Sequence, residues 1–146
     1  MTFDRARLQL LSLNKHIHDL DTSIIRDIKD NSSSHSPFNV IAAKIKKAKE
    51  NGKSVVMMIG GHVIRAGVQN YLIDLMESGY LSCIAMNGSV MIHDFEFALI
   101  GATTESVARY IKEGQFGLWH ETGRINDIIN DGYRKGMGMG EAVGES

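Results

Sequence analysis

The chain has 146 residues, 43% hydrophobic and 23% charged, with a formal net charge of −1. That length suits one domain with a real core, and the near-neutral balance excludes the broad cationic field that draws proteins to nucleic acid or membrane. A single cysteine, Cys83, excludes an intramolecular disulfide and a cysteine-based zinc cluster.

Residues 1–36 read as an N-terminal segment and polar linker. Met1 to Leu13 carries Asp4, Arg5 and Arg7 and lacks a signal-peptide core, so a cytoplasmic protein is expected. No apolar run approaches the ~20 residues that span a bilayer. Leu8 to Leu13 reads as a strand, and Thr22 to Asp30 as a helix capped by Asp21 or Thr22. Asn31 to Ser36 is a polar link with no assigned structure.

Residues 37–146 read as the folded domain. Ser36-Pro37 starts a helix, with Ser36 as cap and Val40, Ile41, Ile45 and Ala48 on one face, and Asn51-Gly52 stops it. Its run Lys44 to Lys49 reads as a solvated face. The first strand, Ser54 to Ile59, runs into Gly60-Gly61-His62. A short helical turn at Val63 to Ala66 follows, then a helix over Val68 to Glu77 with Val68, Leu72, Leu75 and Met76 inward. The second strand, Leu81 to Met86, runs into Asn87-Gly88-Ser89. Cys83 lies within it as a small hydrophobe. A helix over Ser89 to Ile100 places Met91, Phe95, Ala98 and Leu99 inward. Thr103 or Thr104 caps a helix through Lys112. Gly114 to Gly117 is a loop, and Glu121 to Lys135 a helix with Ile125, Ile128, Ile129 and Tyr133 inward. Gly136 to Gly144 reads as a turn into a further helix.

Strands that alternate with helices make an α/β fold: a Rossmann-like parallel sheet with flanking helices. The sheet is small and its edges open. The domain is therefore expected to be incomplete, truncated at the C-terminus, and finished by a partner chain or by missing sequence. A homo-oligomer, dimer or tetramer, is expected.

Ligands of such sheets bind at the carboxyl ends of the strands. Gly60, Gly61 and Gly88 allow close backbone approach and positive φ, although the strict G-x-G-x-x-G fingerprint is absent. His62 suits acid/base work or a hydrogen bond, or equally a packing role. Asn87 and Ser89 suit a ribose or amine, or plain turn chemistry. His93 and Glu96 share a helix face at i, i+3, which is too few ligands for a metal site. With Asp94, Glu96 makes a polar wall for a cationic or hydroxylated ligand, or complements the helix dipole. Trp119 either closes over a ring or anchors its loop.

The motifs Gly61-His62-Val63-Ile64-Arg65-Ala66-Gly67, Tyr71 to Met76, Ala85 to Gly88, Ile92-His93-Asp94-Phe95-Glu96, Gly101-Ala102-Thr103, Gly114 to Gly117 and Glu121-Thr122-Gly123 together resemble the deoxyhypusine-synthase-like proteins, closest to their bacterial branch. The resemblance runs from about Lys53 to Gly144. It implies an NAD-binding domain at a subunit interface within a tetramer. Gly60, Gly61, His62, Asn87, Gly88 and Ser89 would contact NAD. His62, Asp94 and Glu96 would serve NAD-dependent dehydrogenation of a polyamine, followed by aminobutyl transfer. The family's lysine nucleophile has no counterpart here. The competing expectation is a non-catalytic oligomeric assembly module with a dry interface on the Met57-Met58 side.

Overall fold

The computed structural model describes residues 8–29 and 36–146. In chain order the elements are β1 (His18–Asp21), α1 (Ser36–Glu50), β2 (Val56–Ile59), α2 (Gly61–Arg65), α3 (Gln69–Glu77), β3 (Cys83–Met86), α4 (Gly88–Ile100), β4 (Ala102–Glu105), α5 (Val107–Lys112), α6 (His120–Arg134) and α7 (Met139–Gly144). The chain forms two compact units. The central unit is Thr22–Val90; the terminal unit is Met1–Asp21 with Met91–Ser146.

The central unit holds a parallel pair of strands, β2 with β3, in the register Val56↔Cys83 to Ile59↔Met86. This is the expected α/β arrangement, with helices between and after the strands. The glycine stops of its helices take the left-handed conformation, at φ +62° for Gly52 and +67° for Gly79. The lysines of α1 are exposed, as a solvated face requires. Ser36 is the first residue of α1, so the cap before it, like most of the Asn31–Ser36 link, lies outside the described residues.

Residues 22–29 do not form the expected helix. Only Thr22–Ile24 makes a 3-10 turn. The following backbone bonds elsewhere in the unit: the Arg26 N–H donates to the Gly67 carbonyl at 2.8 Å, and the Tyr71 hydroxyl donates to the Asp27 carbonyl at 3.0 Å. Gly67 has φ +72°, and a Cβ there would collide with the Ile24 carbonyl oxygen, so glycine is required for this docking.

The terminal unit is built on an antiparallel pair, β1 with β4, in the register His18↔Glu105, Leu20↔Thr103 and Asp21↔Ala102. The expected strand at Leu8–Leu13 is absent as an element. Leu11 makes a single bridge to Trp119, and Leu13–Lys15 forms a 3-10 turn. The expected helix from Thr103 is also shorter, because Ala102–Glu105 is strand and α5 begins at Val107. Leu13, Tyr110 and Trp119 form the buried cluster of this unit. Gly132 on α6 packs so closely on α7 that a Cβ would strike that of Ala142.

Several expected inward faces are turned out. Val40 and Ile41 on α1, Met76 on α3 and Leu99 on α4 are exposed, and Tyr133 on α6 is 81% exposed. Helical spacing identifies a face but not whether anything covers it. Cys83 is also exposed rather than packed.

Candidate functional site

In the central unit, the carboxyl ends of β2 and β3 lie side by side, with Ile59 opposite Met86. Three predicted residues are joined there by hydrogen bonds. The Ser89 hydroxyl donates to Asn87 Oδ1 at 2.7 Å and accepts from the Gly61 N–H at 3.2 Å. The Gly61 amide is thereby committed to the protein. Gly60, Gly61 and Gly88 are not at positive φ, contrary to expectation; Gly60 is extended at φ −119° and ψ 170°. A Cβ at Gly88 would meet nothing within 4 Å, and one at Gly60 only the Asn87 amide nitrogen at 3.9 Å. Neither glycine is thus demanded by the fold, and both leave the strand ends open. His62 is exposed on α2 beside them. α4, with 13 residues, opens at Gly88 and directs the positive end of its dipole to this edge.

Asp94 and Glu96 belong to the terminal unit and do different things. Glu96 is only 8% exposed and faces the interior. Its Oε2 accepts from the Thr103 hydroxyl at 2.5 Å and its Oε1 from the Thr122 hydroxyl at 3.2 Å. Thr103 is fully buried, and its Oγ1 lies 2.8 Å from His93 Nδ1. Because the Thr103 proton points to Glu96, the His93 Nδ1 must carry the hydrogen and donate. His93, Thr103 and Glu96 therefore form a directed chain with the carboxylate as final acceptor. Asp94 is exposed as a residue, yet solvent is partly withdrawn from its carboxyl, which pushes its pKa above the ordinary value.

Further polar residues complete this interior, among them His16 and His18, to which the sequence analysis assigns no role. The His16 and His18 rings stand 4.0 Å apart between centroids. His16 stacks on Tyr110 and meets the edge of Trp119 at 4.5 Å. Glu105 accepts from Trp119 Nε1 at 2.8 Å and from the Gly117 N–H at 2.9 Å. Trp119 is the anchor of its loop. His16 Nδ1, His18 Nε2 and Thr104 Oγ1 are buried without a protein partner. Thr104, at φ +69°, is the described non-glycine residue in left-handed backbone. A weak signal for this cluster existed, since His16 and His18 alternate as strand neighbours on one face do. Among the described residues no group of three or more His, Cys, Asp or Glu side chains could hold a metal ion, and no helix is long and apolar enough to cross a membrane.

A family model described as arginine dihydrolase ArgZ-like, C-terminal, Rossmann fold, matches residues 39–142. The chain belongs to this family. No curated protein and no solved structure matches it. Membership of the arginine dihydrolase ArgZ-like family confirms the Rossmann-type α/β reading and overturns the resemblance to deoxyhypusine synthase. The polyamine substrate and the aminobutyl transfer fall with it. The motifs that carried that resemblance are largely glycine-rich strand ends and helix starts, which recur across α/β folds with unrelated functions.

Proposed function

We propose that this chain is the dinucleotide-binding module of an arginine dihydrolase-like protein, taking NAD at the carboxyl ends of β2 and β3. The observation that supports it most is the openness of Gly60 and Gly88. Each lacks a side chain where neither φ nor packing requires it, and a dinucleotide pyrophosphate needs close backbone approach there. The α4 dipole favours an anion at the same edge. The Ser89–Asn87 pair holds the β3 end in shape and offers amide and hydroxyl groups to a ribose.

NAD, when bound, supplies a hydride acceptor. Hydrolysis of a guanidinium group changes no oxidation state, so the module serves a separate step from the hydrolysis in the family's name. A cytoplasmic setting fits this reading. So does a homo-oligomer, because Met58 on β2 is 83% exposed, while parallel sheets are ordinarily covered on both faces.

Calorimetric titration with NAD, beside an Asn87→Ala, Ser89→Ala variant, tests the proposal. Saturable binding that weakens at least fivefold in the variant is expected. Absence of binding at millimolar NAD by folded protein would overturn it.

A further inference from the structure

Residues 11–21 attach to the rest of the terminal unit through contacts of several kinds. Leu11 N–H donates to the Leu118 carbonyl at 3.0 Å, and His120 N–H donates to the Leu11 carbonyl at 2.9 Å. The Ser12 hydroxyl and the Leu13 N–H donate to the two oxygens of Glu121, at 2.5 and 2.7 Å. Leu13 fills the aromatic cluster, and the Ile17 N–H donates to the Tyr110 hydroxyl oxygen at 2.8 Å. β1 then pairs with β4.

In the middle of this attachment are two titratable rings. The His16 side chain is 3% exposed, pressed between Tyr110, Trp119 and the His18 ring. Its Nδ1 and the His18 Nε2 have no protein partner. The site tolerates two neutral imidazoles and suits charged ones badly, because His16 would be a buried cation beside a second, half-buried one.

We propose that residues 11–21 form a pH-sensitive clasp: His16 and His18, neutral when it is closed, hold the segment on the terminal unit, and their protonation releases it.

The surrounding charges decide the direction. On the segment itself, Asp19 favours protonation of both rings. From α4, Glu96 does the same for His18, but two hydroxyls already hold that carboxylate. His93, also on α4, sits behind Thr103. From β4, Glu105 comes within 3.7 Å of His16 Nε2. Burial pushes the Glu105 pKa up, against the hydrogen bonds from Trp119 and Gly117 that favour its charged form. From α5, Tyr110 presents a neutral ring, with the Arg109 guanidinium over it at 5.4 Å. From α6, Glu121 binds the segment through Ser12 and Leu13, and those hydrogen bonds hold its pKa below the ordinary value.

Burial, helped by His18, brings the His16 pKa down from 6.5 to about 4, and burial lowers that of His18 as well. A group whose pKa is depressed in the closed form stabilises that form fully above the open-form value. The contribution is lost as pH falls from 6.5 towards about 4. For His16 alone this linkage favours opening about 20-fold more at pH 5 than at pH 7.

Hydrogen exchange of the full chain, corrected for intrinsic rates, tests the clasp. Between pH 7 and pH 5 the amides of Leu13, Ile17 and β1 are expected to lose at least tenfold in protection, while those inside α6 hold theirs. A His16→Gln, His18→Gln variant is expected to flatten the response below threefold. Joint loss of protection in the segment and α6, or an unchanged response in the variant, would overturn the proposal. If the variant does not fold, imidazole ¹⁵N shifts of the wild-type chain decide. A His16 that stays neutral at pH 5.5 supports the clasp, and one that titrates near 6.5 refutes it.

Discussion

The two units handle polar chemistry in opposite ways. The central unit places its polar groups at open strand ends, where Asn87 and Ser89 are exposed and only Gly61 is sealed. The terminal unit buries its polar groups: Glu96, Thr103 and the His16 ring are all nearly inaccessible. An exposed hydrogen bond exchanges readily with water and contributes little to stability, whereas a buried one cannot be lost without leaving a group unsatisfied. Substitutions in the terminal interior should therefore be read in stability and pH response. Those at the central strand ends should be read in ligand affinity.

The largest effect is expected at Trp119. It is 3% exposed, packs on Leu13, His16 and Tyr110, and donates its indole N–H to Glu105. Trp119→Ala removes that volume and leaves the half-buried Glu105 carboxylate short of a donor. A loss of about 4 kcal/mol is expected in urea denaturation. A loss under ~1 kcal/mol would show that the terminal interior is not the rigid half of the contrast.

Thr103→Val comes next. The change conserves shape but removes one donor to Glu96 and the acceptor for His93. Thr122 still serves the other oxygen of Glu96. About 2 kcal/mol is expected to be lost in urea denaturation at neutral pH. A variant as stable as wild type at neutral pH would mean that Glu96 finds other donors.

The same contrast explains what the sequence revealed. β2 and β3 were legible because Val55 to Ile59 and Ile84 to Met86 are apolar runs bounded by glycine, and hydrophobicity is the signal on which strand prediction depends. The strand-end residues followed from the position of those glycines. β1 and β4 were not legible. His18-Asp19-Leu20-Asp21 and Ala102-Thr103-Thr104-Glu105 contain few apolar residues; they bury Thr103 and half-bury His18 and Glu105. A polar interior leaves no hydrophobic period to read. Thr103 looked like a helix cap for the same chemistry that lets its hydroxyl bind Glu96. The family was misread because glycine-rich strand ends and helix starts recur across α/β folds with unrelated functions.

The smallest effect is expected at Met58, and it bears most directly on the central unit. Its side chain lies on the face of β2 shared with Val56, and both are exposed. Met58→Lys removes nothing that is packed within the chain, so the thermal midpoint should stay within about 2 °C of wild type. A parallel pair is nevertheless a poor surface to leave in water, since both faces are ordinarily covered by other elements. If a second copy provides that cover, the lysine places an unpaired charge in the contact. The expected result is a sedimentation shift towards monomer at tens of micromolar protein, with the fold intact. A midpoint drop above about 5 °C would show that Met58 is packed within the molecule, and the central unit could no longer be counted as the open one.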